Sequence, residues 1–200
     1  LPEMDWPDKI KIAQTNWIGK SEGAEITFQV DGSDDTITVF STRPDTIFGA
    51  TFLVLAPEHP LARTLLTDET RELVENYIND AVKKSEIERS NDTKEKTGVF
   101  SGSYAINPAT GQKIPIWIAD YVLGGYGTGA VMGVPAHDDR DFAFAEKFEL
   151  PVVEVIERPE DDIDTDACYH GEGILVNSGV FDGTRSEDAR EQIVAWLEQE

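Results

Sequence analysis

Two polar stretches hold the side chains best suited to chemistry. Ser41-Thr42-Arg43-Pro44-Asp45-Thr46 gathers three hydroxyls, a guanidinium and a carboxylate around one proline. Proline stiffens a strand exit and restricts the residue before it, here Arg43. Hydroxyls on a rigid turn can meet an ester carbonyl, a ribose or a water. The same residues also read as an ordinary turn in which Asp45 caps a following helix. Further along, Gly127-Thr128-Gly129-Ala130-Val131 leads to His137-Asp138-Asp139-Arg140-Asp141, three acids, a His and an Arg in five residues. His137 and Asp141 are i,i+4 and share a face on a helix. That spacing would suit two metal ligands, but a third is unspecified, and the other histidines are His59 and His170. Alternatively Asp141 points inward to take an ammonium group while Asp138 or Asp139 points out. In the plainest reading, the acids only stabilise a helix start through its dipole.

Other chemistries find no support. Gly127 and Gly129 could aim backbone N–H groups at an oxyanion, but two glycines read first as a structural turn. There is no Gly-x-x-x-x-Gly-Lys, no strand-linked Gly-x-Gly-x-x-Gly and no Gly-x-Ser-x-Gly. Ser101-Gly102-Ser103 and Asn177-Ser178-Gly179 read as turns. Cys168 is the single cysteine, which excludes an internal disulfide and a Cys-based zinc site. With no basic neighbour to activate it, it reads as inert.

These stretches need a scaffold. At 200 residues and 40% apolar content, the chain fits one domain with a proper core. No run approaches the roughly 18 apolar residues of a membrane span, and no signal peptide opens the sequence. A reducing, cytoplasmic setting is the simplest reading. Thirty-nine acids face 17 bases, a net charge of −22. Such a surface repels nucleic acid and membranes at low salt. At molar salt the Debye length is about 3 Å and the repulsion largely vanishes, so adaptation to a high-salt, halophilic interior accounts for the charge. The acids are dispersed among aromatic and β-branched residues, which argues against disorder. The chain begins at Leu1 and ends in a helical pattern at Glu200, as if cut from something longer.

In order, Trp6 to Gly19 has helical spacing. Ala24 to Val30 and Thr36 to Phe40 form a hairpin around Asp31-Gly32-Ser33-Asp34, delivering the chain into Ser41. Thr51 to Leu55 is a continuous apolar strand, and Pro57 to Leu66 a loop and short helix. The spacing predicts a helix over Asp68 to Ile87, capped by Thr67 or Asp68, with Leu73, Val74, Tyr77, Ile78, Ala81 and Val82 on its apolar face. Ser85 to Thr97 reads as a charged surface excursion. Val99 to Ile106 and Gln112 to Leu123 are strands joined by a turn at Asn107 to Gly111. Ala130 to Val134 is apolar and stops at Pro135; Asp138 to Phe148 is a helix. Val152 to Ile156 and Gly173 to Asn177 are short strands around an acidic loop, and Ser186 to Glu200 is a final helix. Strands and helices not in strict alternation suggest α+β, a mixed β-barrel decorated with helices.

At this point the residues carry a resemblance. Ser41-Thr42-Arg43-Pro44-Asp45-Thr46-Ile47-Phe48-Gly49-Ala50-Thr51 resembles the threonine-rich motif of the editing domain in leucyl-tRNA synthetases. Tyr126-Gly127-Thr128-Gly129-Ala130-Val131-Met132-Gly133-Val134-Pro135-Ala136-His137-Asp138-Asp139-Arg140-Asp141 resembles that domain's second motif. Asn16 to Gly23 is similar to the segment leading into it in bacterial-type enzymes. Valyl enzymes share parts of both motifs, but their pairing here points to the leucyl type. Ser41 departs from the usual threonine and keeps a hydroxyl.

The resemblance implies a class I synthetase editing-domain fold over residues 23–200, with residues 1–22 linking it to a parent synthetase. It implies hydrolysis of the ester on mischarged tRNA-Leu carrying norvaline, isoleucine or methionine. By motif position, Asp141, Thr42 and Arg43 are the expected catalytic group, with Asp141 holding the substrate α-ammonium. Thr46 is expected to exclude leucine. Ser41, Tyr126, Met132, Val134, His137 and Asp138 are expected to line the amino-acid or terminal-adenosine pocket. No metal or cofactor is implied in this domain; ATP and Mg belong to the parent's synthetic site, whose motifs are missing from these residues. The expected partners are the 3′ end of tRNA-Leu and the rest of the synthetase, with no membrane. A non-catalytic module that positions tRNA, or a metal-dependent hydrolase built on the acidic cluster, are the rival readings.

Overall fold

The structure, a computed structural model, describes Pro7 and residues 22–89, 95–125, 127–159 and 168–199. The expected helix Trp6–Gly19, the Asn16–Ser21 part of the leading motif, Tyr126 and most of the acidic loop lie outside the described residues.

The chain folds as α+β around a six-stranded sheet. The strands are β1 (Ala24–Val30), β2 (Thr36–Ser41), β3 (Phe52–Leu55), β4 (Gly98–Ile106), β5 (Lys113–Ala119) and β6 (Ala130–Gly133). Their spatial order is β2-β1-β4-β5-β3-β6. β3 and β5 run parallel; the other neighbours are antiparallel. The end strands β2 and β6 approach each other, yet no ladder bonds join them. The expected barrel is therefore an unclosed sheet, and the gap between its end strands holds the cleft described below.

Alternation explains the burial. Ile26, Phe28 and Val30 of β1 and Ile37 and Val39 of β2 are buried, with polar residues between them. All four residues of β3 are buried because both faces are covered. Leu53 and Leu55 join the main core with Ile116 and Ile118. Phe52 and Val54 join a second cluster on the opposite face, beneath helix α3 (Asp139–Phe148). Phe144 of α3 stacks on Phe52 with centroids 5.3 Å apart, and Trp117 meets Phe144 edge-on at 5.4 Å.

Several elements are shorter than their sequence pattern. The helix expected over Asp68 to Ile87 is α1 (Arg71–Ala81), followed by a separate turn of helix, α2 (Glu86–Arg89). Ser85 divides them. Its Oγ accepts from the Glu88 N–H, and its own N–H and hydroxyl donate to Glu88 Oε2, a reciprocal cap that starts a new helix. Val74, Ile78 and Ala81 are buried, but Leu73 and Val82 are exposed. Ser101-Gly102-Ser103 is a bulge in β4 rather than a turn, with Gly102 at φ +94°. The strand expected from Val152 narrows to β7 (Ile156–Glu157), paired with β8 (Ile174–Leu175). At the start of the paired stretch, the N–H groups of Val155 and Ile156 are taken by the His137 ring from a distant part of the chain.

Helix α4 (Ser186–Leu197) packs behind the 3-10 turn Pro44–Gly49, where Phe48, Phe181 and Trp196 meet with centroids about 6 Å apart.

The β3–β6 register requires a glycine at 133. It opposes Phe52, and an added Cβ would lie 2.3 Å from that ring's Cζ. Gly133→Ala should cost about 1–3 kcal/mol through overpacking and lower Tm by about 2–4 °C per kcal/mol. Thermal unfolding followed by circular dichroism measures this; an unchanged Tm contradicts the register.

Candidate functional site

β2 delivers the chain to Ser41, whose Oγ accepts the Arg43 N–H at 3.0 Å. Pro44 then opens the 3-10 turn, a position its fixed φ suits. The Arg43 carbonyl accepts both the amide (3.1 Å) and the hydroxyl (2.9 Å) of Thr46, which fixes that side chain's rotamer. Asp45 does not cap the turn. It is fully buried and accepts from Arg43 Nε (3.1 Å to each oxygen), Arg43 Nη2 (2.9 Å) and Arg190 Nε (3.2 Å). At the other end, the buried Asn107 amide donates to the carbonyls of Ile47 and Ala50. The turn is held from both sides.

The second stretch is equally constrained. Gly127 and Gly129, at φ +59° and +70°, make the tight turn before β6, as the turn reading expects. Beyond Pro135, Asp138 caps α3: its Oδ1 accepts the N–H groups of Arg140 (2.9 Å) and Asp141 (3.2 Å). Asp141 turns inward, with 7% of its surface exposed. Its Oδ2 accepts the Val134 N–H at 2.9 Å, and Tyr121 O–H approaches Oδ1 at 3.5 Å. Burial, then the Asp138 charge, push its carboxyl up to about 7, against the pull of the Val134 N–H and Arg140. Burial and Asp141 also hold the Tyr121 phenol well above its ordinary value.

His137 is buried and its ring is fully engaged. Nδ1 lies 2.8 Å from the Tyr169 carbonyl, while Nε2 takes the N–H groups of Val155 (3.1 Å) and Ile156 (3.2 Å). That pattern assigns the proton to Nδ1. Burial lowers its pKa, so the ring is neutral. No nitrogen lone pair is left for a metal or a proton. Cys168 is buried with its S–H donated to the Pro135 carbonyl, and burial pushes the thiol up to about 12.

The two stretches meet across one cleft of about 460 Å³. Ser41, Thr42, Arg43, Thr46, Met132, Val134, His137, Asp138 and Asp141 all line it; Tyr126 lies outside the described residues. Sequence reasoning missed Arg89, Lys96, Tyr121, Val122, Leu123 and Arg140 on the same wall. Arg89 and Lys96 fall in the stretch expected to be an exposed excursion, yet both are buried. Arg89 is drawn in by Glu58 and by the carbonyls of Asp120 (2.7 Å) and Val122 (2.8 Å). Lys96 Nζ sits 5.9 Å over the Tyr121 ring. Their charge was visible in the sequence; the contacts that bury them are long-range. Arg43, Arg89, Lys96 and Arg140 thus all reach the cleft lining, and three of them are paired with carboxylates, Arg43 with Asp45, Arg89 with Glu58 and Arg140 with Asp138.

The family model for the leucyl-tRNA synthetase editing domain matches residues 15–198. The chain belongs to the leucyl-tRNA synthetase editing-domain family. Its fold is also similar to a crystal structure of the Agrobacterium radiobacter K84 AgnB2 LeuRS in a ternary complex with tRNA and LeuAMS. That likeness has a TM-score of 0.75 and 38% sequence identity over 97% of this chain. The editing domain spans 21% of the length of that relative. In both the family and the expected architecture the fold is mixed α and β, here with the sheet left open.

The raised Asp141 carboxyl makes a stability prediction for this editing domain. The folded value, about 7, lies above the ordinary 3.8. Between those values the folded chain holds a proton that the unfolded chain has lost, so stability falls as pH rises through that window. Asp141→Asn keeps an acceptor for Val134 and removes the buried charge. It should raise Tm at pH 8 by about 2–4 °C, equivalent to about 1 kcal/mol, and change it little at pH 4. Calorimetric scans at both pH values check this, and a lower Tm at pH 8 contradicts it.

Proposed function

We propose that the chain is the editing deacylase of a leucyl-tRNA synthetase, hydrolysing the ester that joins norvaline, isoleucine or methionine to the 3′ end of tRNA-Leu. The observation that carries this reading is Asp141. It is a buried carboxylate held by the neutral N–H of Val134 and facing a cleft whose other wall is the Ser41–Thr46 turn. Both groups that hydrogen-bond the Asp141 carboxylate, the Val134 N–H and the Tyr121 hydroxyl, are neutral; a substrate ammonium supplies a charged donor and favours the ionised form through a charge-assisted bond.

One methylene yields only about 1–3 kcal/mol of discrimination in a single pocket, so a second sieve raises fidelity. Thr46, with its rotamer fixed by the Arg43 carbonyl, blocks the branched leucine side chain and misaligns its ester. A linear or differently branched residue lies with its carbonyl against the threonine-rich turn. Water adds to that carbonyl, and the exposed Thr42 hydroxyl or nearby backbone N–H groups stabilise the oxyanion. The C–O bond to the ribose then breaks, the ribose oxygen takes up a proton, and the free amino acid leaves. The engaged His137 ring cannot serve as base; a ribose hydroxyl of the terminal nucleotide is the proton relay.

Deacylation of norvalyl-tRNA-Leu and leucyl-tRNA-Leu by the longer enzyme tests this. Asp141→Ala should cost roughly 10- to 150-fold on norvalyl-tRNA, as for loss of a charged hydrogen bond of about 1.5–3 kcal/mol. Retained activity removes Asp141 from the anchor role. Thr46→Ala should raise hydrolysis of leucyl-tRNA by roughly 10- to 200-fold; unchanged protection of leucine sinks the sieve. Wild-type enzyme that binds norvalyl-tRNA without hydrolysing it indicates a positioning module, and activity lost to a chelator indicates a metal-dependent hydrolase.

A further inference from the structure

Resting on that functional reading, we propose that Arg190 is a positioning residue for the sieve, setting the geometry of the Thr46 turn from outside the cleft. Arg190 sits on α4 and does not line the cleft. Its Nε reaches the fully buried Asp45 at 3.2 Å, across 145 residues of sequence. Its Nη2 bonds Glu172, whose second oxygen accepts the Ser186 hydroxyl. Asp45 and Glu172 against Arg43 and Arg190 make a balanced quartet of charge.

The quartet is joined to the sieve by short links. Asp45 precedes Thr46 in the chain and grips the Arg43 guanidinium, and the Arg43 carbonyl holds both polar atoms of Thr46. Removing the Arg190 charge leaves Arg43 as the one guanidinium bonded to Asp45, with Glu172 nearby deprived of its own guanidinium partner. The Arg43 side chain lines the cleft, so any shift by which it compensates moves the threonine-rich wall itself. A small displacement there is enough, because discrimination rests on a single methyl-sized clash.

The test uses the longer enzyme and compares kcat and KM on norvalyl- and leucyl-tRNA-Leu for wild type, Arg190→Gln and Arg190→Lys. In Arg190→Gln the ratio of leucyl to norvalyl hydrolysis should rise at least fivefold. The KM for norvalyl-tRNA, governed by Asp141 and the tRNA, should change less than twofold. Arg190→Lys, which keeps a cation beside Asp45, should return the ratio to within twofold of wild type. A smaller rise in Arg190→Gln, with only Tm lowered, overturns the proposal and makes the quartet merely structural. Should Arg190→Gln fail to fold, Arg190→Met, which keeps the aliphatic stem and drops the charge, takes its place under the same fivefold criterion. If wild-type enzyme does not deacylate norvalyl-tRNA, the functional reading falls, and hydrogen exchange then decides Arg190's role. Exchange of the Thr46 and Ala50 amides at least tenfold faster in Arg190→Gln, with α3 amides unchanged, upholds the positioning role; equal rates overturn it.

Discussion

Four residue pairs between β3 and β6, from Phe52 with Gly133 to Leu55 with Ala130, hold one wall of the cleft in register. β6 has no ladder on its other side, so this register alone places Met132 and the strand's exit at Val134. A slip of one residue would turn Met132 to the opposite face and carry the Val134 N–H away from Asp141. The close approach of the Phe52 ring to Gly133 resists such a slip, because another residue at that point would collide with the ring. The ring is also stacked under α3, which carries Asp141. One aromatic contact thus couples strand register, helix position and the carboxylate at the site.

Two carboxylates are buried near the site, Asp141 on the cleft lining and Asp45 behind it, and they are treated in opposite ways. Asp45 faces two guanidinium groups, so its charge is matched within the chain and its role is structural. Asp141 has an amide N–H as its closest partner, with Tyr121 further off, and its carboxyl is pushed up to about 7. Burying a charge with so little compensation costs stability. The ammonium anchor proposed for Asp141 gives that cost a use. Exposure does not distinguish the two residues, since both are buried; their partners do.

The sequence showed the local parts well. The hairpin from Ala24 to Ser41, the buried β3 and the helix with acids at its start follow from alternation, turn residues and spacing; the two motifs were legible through a family resemblance. What it hid depends on contacts between distant segments. Ser85 and Glu88 form a readable cap, but the apolar spacing running through Leu73 and Val82 masked it. Arg89 and Lys96 looked solvated because nothing local announces Glu58, Asp120 or Tyr121 as partners. His137 looked like a ligand or a pocket residue by its motif; only the fold shows two backbone N–H groups and a carbonyl using up its ring. Asp45 read as a cap because Arg190, its second cation, lies on the last helix.

The unclosed sheet joins these observations. Pairing β2 with β6 would complete a barrel and satisfy two exposed edges. It would also bring the backbones to within about 5 Å of each other, leaving no space for a ligand. Instead β2 ends at Ser41, where the chain turns away through Pro44, and β6 ends at Gly133, shortly before Pro135. Both strands stop where a proline prevents their continuation as paired structure. The unpaired edges then border a cleft that receives Thr46 from one side and Asp141 from the other. Leaving the barrel open forgoes a ladder of hydrogen bonds; the quartet around Asp45 and the Asn107 clamp hold the largely buried Pro44–Gly49 turn instead.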